Sequence, residues 1–363
     1  MTQSAAAATS GSSHSVRAVA GRILRIREVM LVLALLLICG LVAARAPRFL
    51  NATNLDQVIL SATLVCIVAV GQALVIIARQ IDLSVGAIVA MSAFVSAEWL
   101  AANPTGSLFF VFLIGCTIGL AMGAGNALLV AVFKIPAIVA TLGTLAIYRG
   151  AVLVYAGGRQ ISATVLPDYY EGIARAFVAG IPFLVWLALI ITVSVGVLAR
   201  YSQTGRNIYA VGSNPESAHI LGIRAGRVVT FVFVLSGFLS GLVGVLWGAR
   251  FGTVDAVIAP QLNLQSISAV VIGGVSIFGG SGSVYGAAIG AVIFAVLQNG
   301  VLLIGINQFW VQAVVGAAIL ATVFFYSSLA RRVERIQREA RRRPEREETA
   351  TQVRPATKPE FGK

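Results

Sequence analysis

Residues Arg200 to Arg227, RYSQTGRNIYAVGSNPESAHILGIRAGR, form the one long polar interlude in a chain that is otherwise almost continuously apolar. The stretch carries four arginines (Arg200, Arg206, Arg224, Arg227) against a single acid, Glu216, and holds the helix breakers Gly205, Gly212 and Pro215. Within it, Asn214-Pro215-Glu216 has the order of a helix start. Asn stands at the N-cap, Pro at the first helical position where an N–H is not needed, and Glu in the first turn beside the positive end of the dipole. Ser217 to Leu221 continue the helix, and Gly222 stands where a C-cap is expected. A short, capped, amphipathic helix between two apolar runs reads either as a docking surface or as an ordinary loop between membrane spans.

The flanks of this stretch fix the class of protein. Of 363 residues, 58% are hydrophobic and only 11% are charged, too little charge to cover an aqueous domain. Runs of about 20 apolar residues, the length that crosses a bilayer core, recur along the chain. The sequence therefore predicts an all-α polytopic transmembrane helical bundle with about ten spans: roughly 29–46, 57–78, 84–101, 108–133, 137–156, 181–200, 228–248, 264–279, 283–304 and 310–329. Residues 1–28 read as a disordered basic cytoplasmic N-terminus, 29–330 as the membrane domain with the loop 200–227 inside it, and 331–363 as a basic cytoplasmic tail. Arg17, Arg22, Arg25 and Arg27 precede the first apolar run. That run is long for a signal peptide and many spans follow it, so an uncleaved first helix is expected.

A net charge of +13 would suit a nucleic-acid partner, but the placement of the charges argues otherwise. With both termini cytoplasmic, 21 of the 27 Lys/Arg lie in inside segments, including Arg79, Lys134, the central loop and the tail. The remaining six (Arg45, Arg48, Arg149, Arg159, Arg175, Arg250) lie outside. This is the asymmetry of the positive-inside rule. The basic charge marks the cytoplasmic face, and no nucleic-acid partner is expected. The tail, with eleven basic and six acidic residues, suits anionic lipid headgroups. Cys39, Cys66 and Cys116 lie in apolar runs and read as small buried hydrophobes. His14 and His219 are far apart with no carboxylate or thiol cluster beside them, so no metal site is expected.

Transport against a gradient needs an energy source. A phosphate-cradling loop needs Gly-x4-Gly-Lys-Ser/Thr, and none of the three lysines (Lys134, Lys358, Lys363) has that setting. Ion-driven carriers usually place carboxylates inside the membrane; here Asp82 and Glu98 fall at predicted span ends. The energy is expected to come from another subunit. Around Asp82, Gln80-Ile81-Asp82-Leu83-Ser84-Val85-Gly86 reads as a structural turn in which Asp82 caps the next helix and Arg79 pairs with it at i, i+3. Gly237-x3-Gly241 and Gly286-x3-Gly290 allow close helix packing. Gln72, Asn126, Thr141, Thr144, Ser266, Ser268, Gln298 and Asn299 are candidates for a path that hydrogen-bonds a sugar-like solute. Each of them also suits a bond to a neighbouring backbone or helix.

Four stretches in order carry a resemblance: Gly71–Gly86 (GQALVIIARQIDLSVG), Asn126 through Lys134-Ile135-Pro136 to Tyr148-Arg149-Gly150, Gly205–Glu216 (GRNIYAVGSNPE) through Gly222, and Gly273–Ser283 (GGVSIFGGSGS). With the spans between them they cover about residues 55–330, and in that combination the chain resembles the membrane permease of bacterial binding-protein-dependent ABC importers for simple sugars of the ribose/xylose/arabinose/rhamnose type. The resemblance implies a multi-pass protein of the bacterial inner membrane. It also implies an ABC ATPase subunit or tandem ATPase, a second permease chain (identical or a paralogue), and a periplasmic sugar-binding protein. ATP and Mg would sit on the partner ATPase, and this chain would bind no cofactor and catalyse no covalent chemistry. The Gly205–Gly222 loop would be the coupling element seated on the ATPase, with Gly205, Arg206, Asn214, Pro215, Glu216, Ala218 and Gly222 as its residues and the small Ala218 and Gly222 permitting close seating. Arg79-Gln80 departs from the small residues usual before Ile-Asp-Leu-Ser. Branched-chain amino acids, nucleosides or sugar-like signalling molecules are alternative cargoes within this architecture. A self-sufficient secondary carrier or facilitator is the alternative outside it.

Overall fold

The computed structural model describes residues 10–307 together with 310, 313, 316 and 317, with side chains from Glu28 onward. Twelve helices follow one another: α1 (Ser10–Arg45), α2 (Ala52–Ile77), α3 (Val85–Ala102), α4 (Leu108–Ala127), α5 (Ala137–Ala156), α6 (Asp168–Arg175), α7 (Phe183–Tyr201), α8 (Gln203–Ser213), α9 (Pro215–Ile220), α10 (Ala225–Phe251), α11 (Leu262–Ile272) and α12 (Val284–Leu303). A two-residue hairpin, β1 (Phe177–Val178) and β2 (Ile181–Pro182), precedes α7. A π-helical turn, Leu128–Val132, prolongs α4.

Among the described residues, eight segments are long and apolar enough to cross a membrane: Glu28–Arg45, Ala52–Ile77, Val85–Ala102, Leu108–Val132, Ala137–Ala156, Phe183–Tyr201, Ala225–Phe251 and Val284–Leu303. They coincide with eight of the ten predicted spans. The second begins about five residues early because Asn51 caps it, its Oδ1 accepting from the Thr53 N–H at 3.2 Å. The predicted span 310–329 and the tail 331–363 lie outside the described residues apart from 310, 313, 316 and 317. Two expectations fail. The segment expected to be disordered over 1–28 is helical from Ser10. The predicted span 264–279 holds only the 11-residue α11, which rises about 16 Å at ~1.5 Å per residue, half a bilayer core. Gly273 to Ser283 after it is non-helical.

The centre of the bundle is formed by α2 and α10, the two most buried long helices. α10 packs on α4, α3 and α2, and α12 packs on α2, α11 and α1. Lipid tails are as apolar as leucine, so these contacts depend on close van der Waals packing. Glycine provides it. Gly115, Gly119 and Gly123 on α4 face Gly237 and Gly241 on α10 so closely that a Cβ on Gly237 would stand 2.7 Å from the Gly123 Cα. One on Gly123 would stand 2.6 Å from the Phe233 carbonyl oxygen. The predicted Gly286/Gly290 contact also exists: a Cβ on Gly290 would lie 2.6 Å from the Gly273 nitrogen, fixing α12 against the end of α11. The α4 glycines were not singled out in the sequence, because only their facing pair shows what they are for.

This geometry separates two chemically identical substitutions. Gly143 on α5 has no atom near its missing Cβ, so Gly143→Ala gains helix propensity and is expected to leave thermal stability in detergent unchanged or raised by up to ~1 kcal/mol. Gly237→Ala drives a methyl into the α4 backbone and is expected to lower stability by ~1–3 kcal/mol, with reduced folded yield. Equal behaviour of the two variants in a thermal-aggregation assay would contradict the packing assigned here.

Candidate functional site: the polar loop and the buried break

The 200–227 loop folds as two helices. Ser202 caps α8, its Oγ accepting from the Gly205 N–H at 2.9 Å and donating to the Leu198 carbonyl at 2.6 Å. Gly205 is buried against the end of α7, where a Cβ would meet the Ala199 carbonyl carbon at 2.5 Å. Arg206 is exposed and donates to the Tyr201 carbonyl at 3.0 Å. α8 is clamped to the bundle: Ile208, Val211 and Gly212 are buried, and a Cβ on Gly212 would stand 2.7 Å from the Gly280 nitrogen. That same Gly280 N–H bonds the Ile77 carbonyl at the end of α2 at 2.9 Å. Tyr209 donates to the Gly282 carbonyl at 3.0 Å, and burial pushes its phenol above the ordinary range, so it stays a donor. The loop is therefore fastened to α2, α7 and the 273–283 stretch together.

α9 follows the predicted chemistry at both ends. The Asn214 Oδ1 accepts from the Ser217 N–H at 3.0 Å, Pro215 occupies the first turn, and Glu216 is exposed beside it. At the other end Gly222 has φ of +77°, its N–H bonds the His219 carbonyl at 2.9 Å, and the Ile223 N–H bonds the Ala218 carbonyl at 3.0 Å. This is the paired-bond ending that a left-handed glycine permits. Two assignments are corrected. Ala218 is 2% exposed and packs inward, and Gly205 is buried under α7, so neither can touch a partner. The outward face holds Glu216 with Ile220 and Leu221, which are 84% and 77% exposed. Sequence reading did not single out these two as outward-facing because apolar residues in a short amphipathic helix are assigned to its inner face by default. Their signal was position, immediately before the glycine that ends the helix.

The second feature lies within the bundle. After α2 the chain turns through Arg79, at φ of +63°, and Gln80–Ser84 are non-helical, running back beside α2 before α3 begins. Non-helical backbone at that depth leaves polar groups unpaired unless side chains meet them. The Gln72 Nε2 donates to the Asp82 carbonyl at 3.1 Å, and the Thr141 Oγ1 donates to the Ile81 carbonyl at 3.1 Å. The Asp82 Oδ1 accepts from the Ser84 N–H at 2.9 Å and from the Ser84 Oγ at 2.7 Å, and the Ser84 Oγ in turn accepts from the Asn126 Nδ2 at 2.7 Å. All five residues are 0% exposed. Ser84, not Asp82, is the N-cap residue of α3, and the Arg79–Asp82 ion pair expected from spacing is absent among the described residues, where Arg79 is exposed. The left-handed turn at Arg79 points the two side chains apart.

A second break faces the first. Residues 252–261 dip between the spans: Arg149, well inside α5 and not in the outside loop assigned to it, donates to the carbonyls of Ala256 and Ile258 at 3.1 and 3.0 Å. A Cβ on Gly86 would stand 2.8 Å from the Ala259 carbonyl oxygen. Most of the residues expected along a solute path make hydrogen bonds within the chain. Gln72, Asn126 and Thr141 secure the first break, and Thr144 bonds the Thr141 carbonyl at 3.3 Å. Ser266 and Ser268 bond the carbonyls of Asn263 and Leu264 in their own helix. Asn299 exchanges two bonds with Asn54, at 2.9 and 3.1 Å, joining α12 to α2, with Gln298 half-buried beside it. A path lined by side chains sealed this way would require breaking these bonds.

Asp82→Ala leaves the buried Ser84 N–H and hydroxyl without their acceptor and is expected to cost ~2–4 kcal/mol. Asp82→Asn keeps an oxygen at the same place and should cost much less. Thermal unfolding of the two variants in detergent checks the order, and equal losses would refute the acceptor role.

The family whose description reads "Branched-chain amino acid transport system / permease component" matches residues 54–323. The autoinducer 2 import system permease protein LsrC of Escherichia coli (strain K12 / DH10B) is 33% identical over 309 residues, covering 85% of this chain and 89% of that protein. The protein of the same name from Enterobacter sp. (strain 638) is 32% identical over 317 residues, 87% of this chain and 91% of its own length. No solved structure matches. Eight apolar spans, the fastened polar loop and these relatives agree with the family expected from the four sequence stretches: this chain is a polytopic inner-membrane protein and belongs to the permease-component family of the ABC importers.

Proposed function

We propose that the chain forms part of the translocation path for a simple sugar or sugar-like solute, and that α9 is the element through which partner ATPase subunits drive it. The observation that carries the coupling role is the outward pair Ile220 and Leu221 beside Glu216, displayed on a capped helix. Two adjacent aliphatic side chains more than three-quarters exposed on a polar loop offer an apolar surface, and burying each against a protein partner is worth roughly 1.5–3 kcal/mol. Stiffness matters as much as affinity. α9 is closed at both ends, and α8 is fastened to α2 and α7, so a push on α9 reaches the bundle as displacement of rigid helices. ATP and Mg act on the partner. A second permease chain and a binding protein on the opposite face complete the importer.

The cargo reading rests on chemistry and kinship. Relatives whose printed name gives autoinducer 2 as their cargo favour the sugar-like signalling molecule among the alternatives within this architecture. Among the described residues the buried polar side chains are neutral amides and hydroxyls apart from Asp82, which suits an uncharged solute.

In vesicles holding the assembled transporter, Ile220→Asp and Leu221→Asp are each expected to lower solute uptake at least about tenfold, the loss of ~1.4 kcal/mol or more from the contact, while insertion stays normal. Glu216→Lys is expected to uncouple ATP hydrolysis from uptake. Gly222→Val forces a branched residue to positive φ and is expected to impair uptake by loosening the end of α9. Normal uptake by both aspartate variants would sink the coupling assignment. Uptake by the chain alone without ATP would favour the self-sufficient carrier.

A further inference from the structure

At the corner between α7 and α8 a cavity of about 350 Å³ is lined by Arg200, Arg206, Tyr209, Ser283, Tyr285 and Glu28. Three of its walls are span ends: Glu28 opens the first apolar segment, Arg200 stands in the last turn of α7, and Ser283 caps α12. The cavity therefore sits at a membrane boundary, on the same end of the bundle as α9. Neither arginine has a carboxylate partner among the described residues. The Arg200 guanidinium lies 5.6 Å from the centre of the Tyr201 ring, and Arg206 uses one nitrogen on the Tyr201 carbonyl. Both keep further N–H donors, in a planar geometry that matches phosphate oxygens. The start of α12 adds its dipole, with the Ser283 Oγ accepting from the Gly286 N–H at 3.4 Å and donating to the Glu28 Oε1 at 3.0 Å. Glu28 is the one opposing charge, and its Oε1 is engaged by that hydroxyl.

We propose that this cavity binds the phosphate headgroup of an anionic phospholipid. Its position at three span ends favours a lipid over a soluble anion. So does the face of α7 that leads away from it, where Val193 and Val197, each 45% exposed, continue at helical spacing from Arg200 and Tyr201 as a surface for an acyl chain. The arginines bracket the joint between α7 and α8, so an occupied site ties the fastened end of the coupling loop to the bilayer and makes transport responsive to anionic lipid content. The binding itself does not depend on the coupling role of α9.

The test uses the purified full-length chain, delipidated in detergent and titrated with phosphatidylglycerol or with phosphatidylcholine of the same acyl chains, read by native mass spectrometry. Phosphatidylglycerol should bind on the order of tenfold more tightly, as two nearby guanidiniums would give. Arg200→Gln/Arg206→Gln should abolish the preference. Glu28→Gln should increase it, a gain that misfolding cannot imitate. Deletion of 331–363 should leave it unchanged, which separates the cavity from the basic tail. Free glycerol 3-phosphate competing as well as the lipid would overturn the lipid assignment in favour of a soluble phosphoester. Absence of any preference in the natural chain, or its persistence in the double glutamine variant, would overturn the site. None of these readings involves an ATPase, so failure here and failure of the coupling role are separately visible.

Discussion

A polypeptide within a bilayer has no water to satisfy its backbone, and this requirement governs the interior of the protein. Two of the non-helical stretches between its spans, 80–84 and 252–261, are bonded by side chains of the helices around them. Gln72, Thr141, Asn126 and the Asp82–Ser84 pair close the first break. Arg149 reaches two carbonyls of the second. The breaks meet where Gly86 passes the Ala259 carbonyl, so the two interruptions are one structural device. Ala259 itself holds φ of +51°, a conformation that a residue with a Cβ adopts only under support from its surroundings.

Around this device the helices pack by proximity. The glycines of α4 and α10 bring two backbones into contact, where dispersion, and not water exclusion, provides the attraction. Such an interface has a narrow tolerance, since a methyl group on either helix meets the opposing backbone. At one end of it the Val245 side chain of α10 fills the space over Gly115 of α4.

The polar loop connects that interior to the outside. α8 touches the end of α2 through Gly212 and the 273–283 stretch through Tyr209, so it lies against the same elements that flank the first break and the half-span α11. α9 projects beyond it with apolar residues outward. α9 is thereby joined through α8 to the interrupted helices of the interior.

The sequence by itself determined the features written in local chemistry. Hydropathy placed eight spans, because roughly 20 apolar residues in a row have few other uses. Asn214, Pro215 and Gly222 set the limits of α9, because cap and left-handed positions are selected within a few residues. What only the tertiary structure decided is which atoms meet across the chain. It reduced the eighth predicted span to a half-helix, because hydropathy counts apolar residues without seeing that Gly273 must end the helix against Gly286. It turned Ala218 inward and Ile220 outward, because the inner face of a six-residue helix depends on the surface beneath it. It gave most of the candidate solute ligands hydrogen-bond partners within the chain, since an amide in a span pairs with whichever group lies opposite. For Asn299 that group is Asn54, and for Asn126 it is Ser84. Those pairings depend on helix contacts between residues far apart in the chain, and no local pattern encodes them.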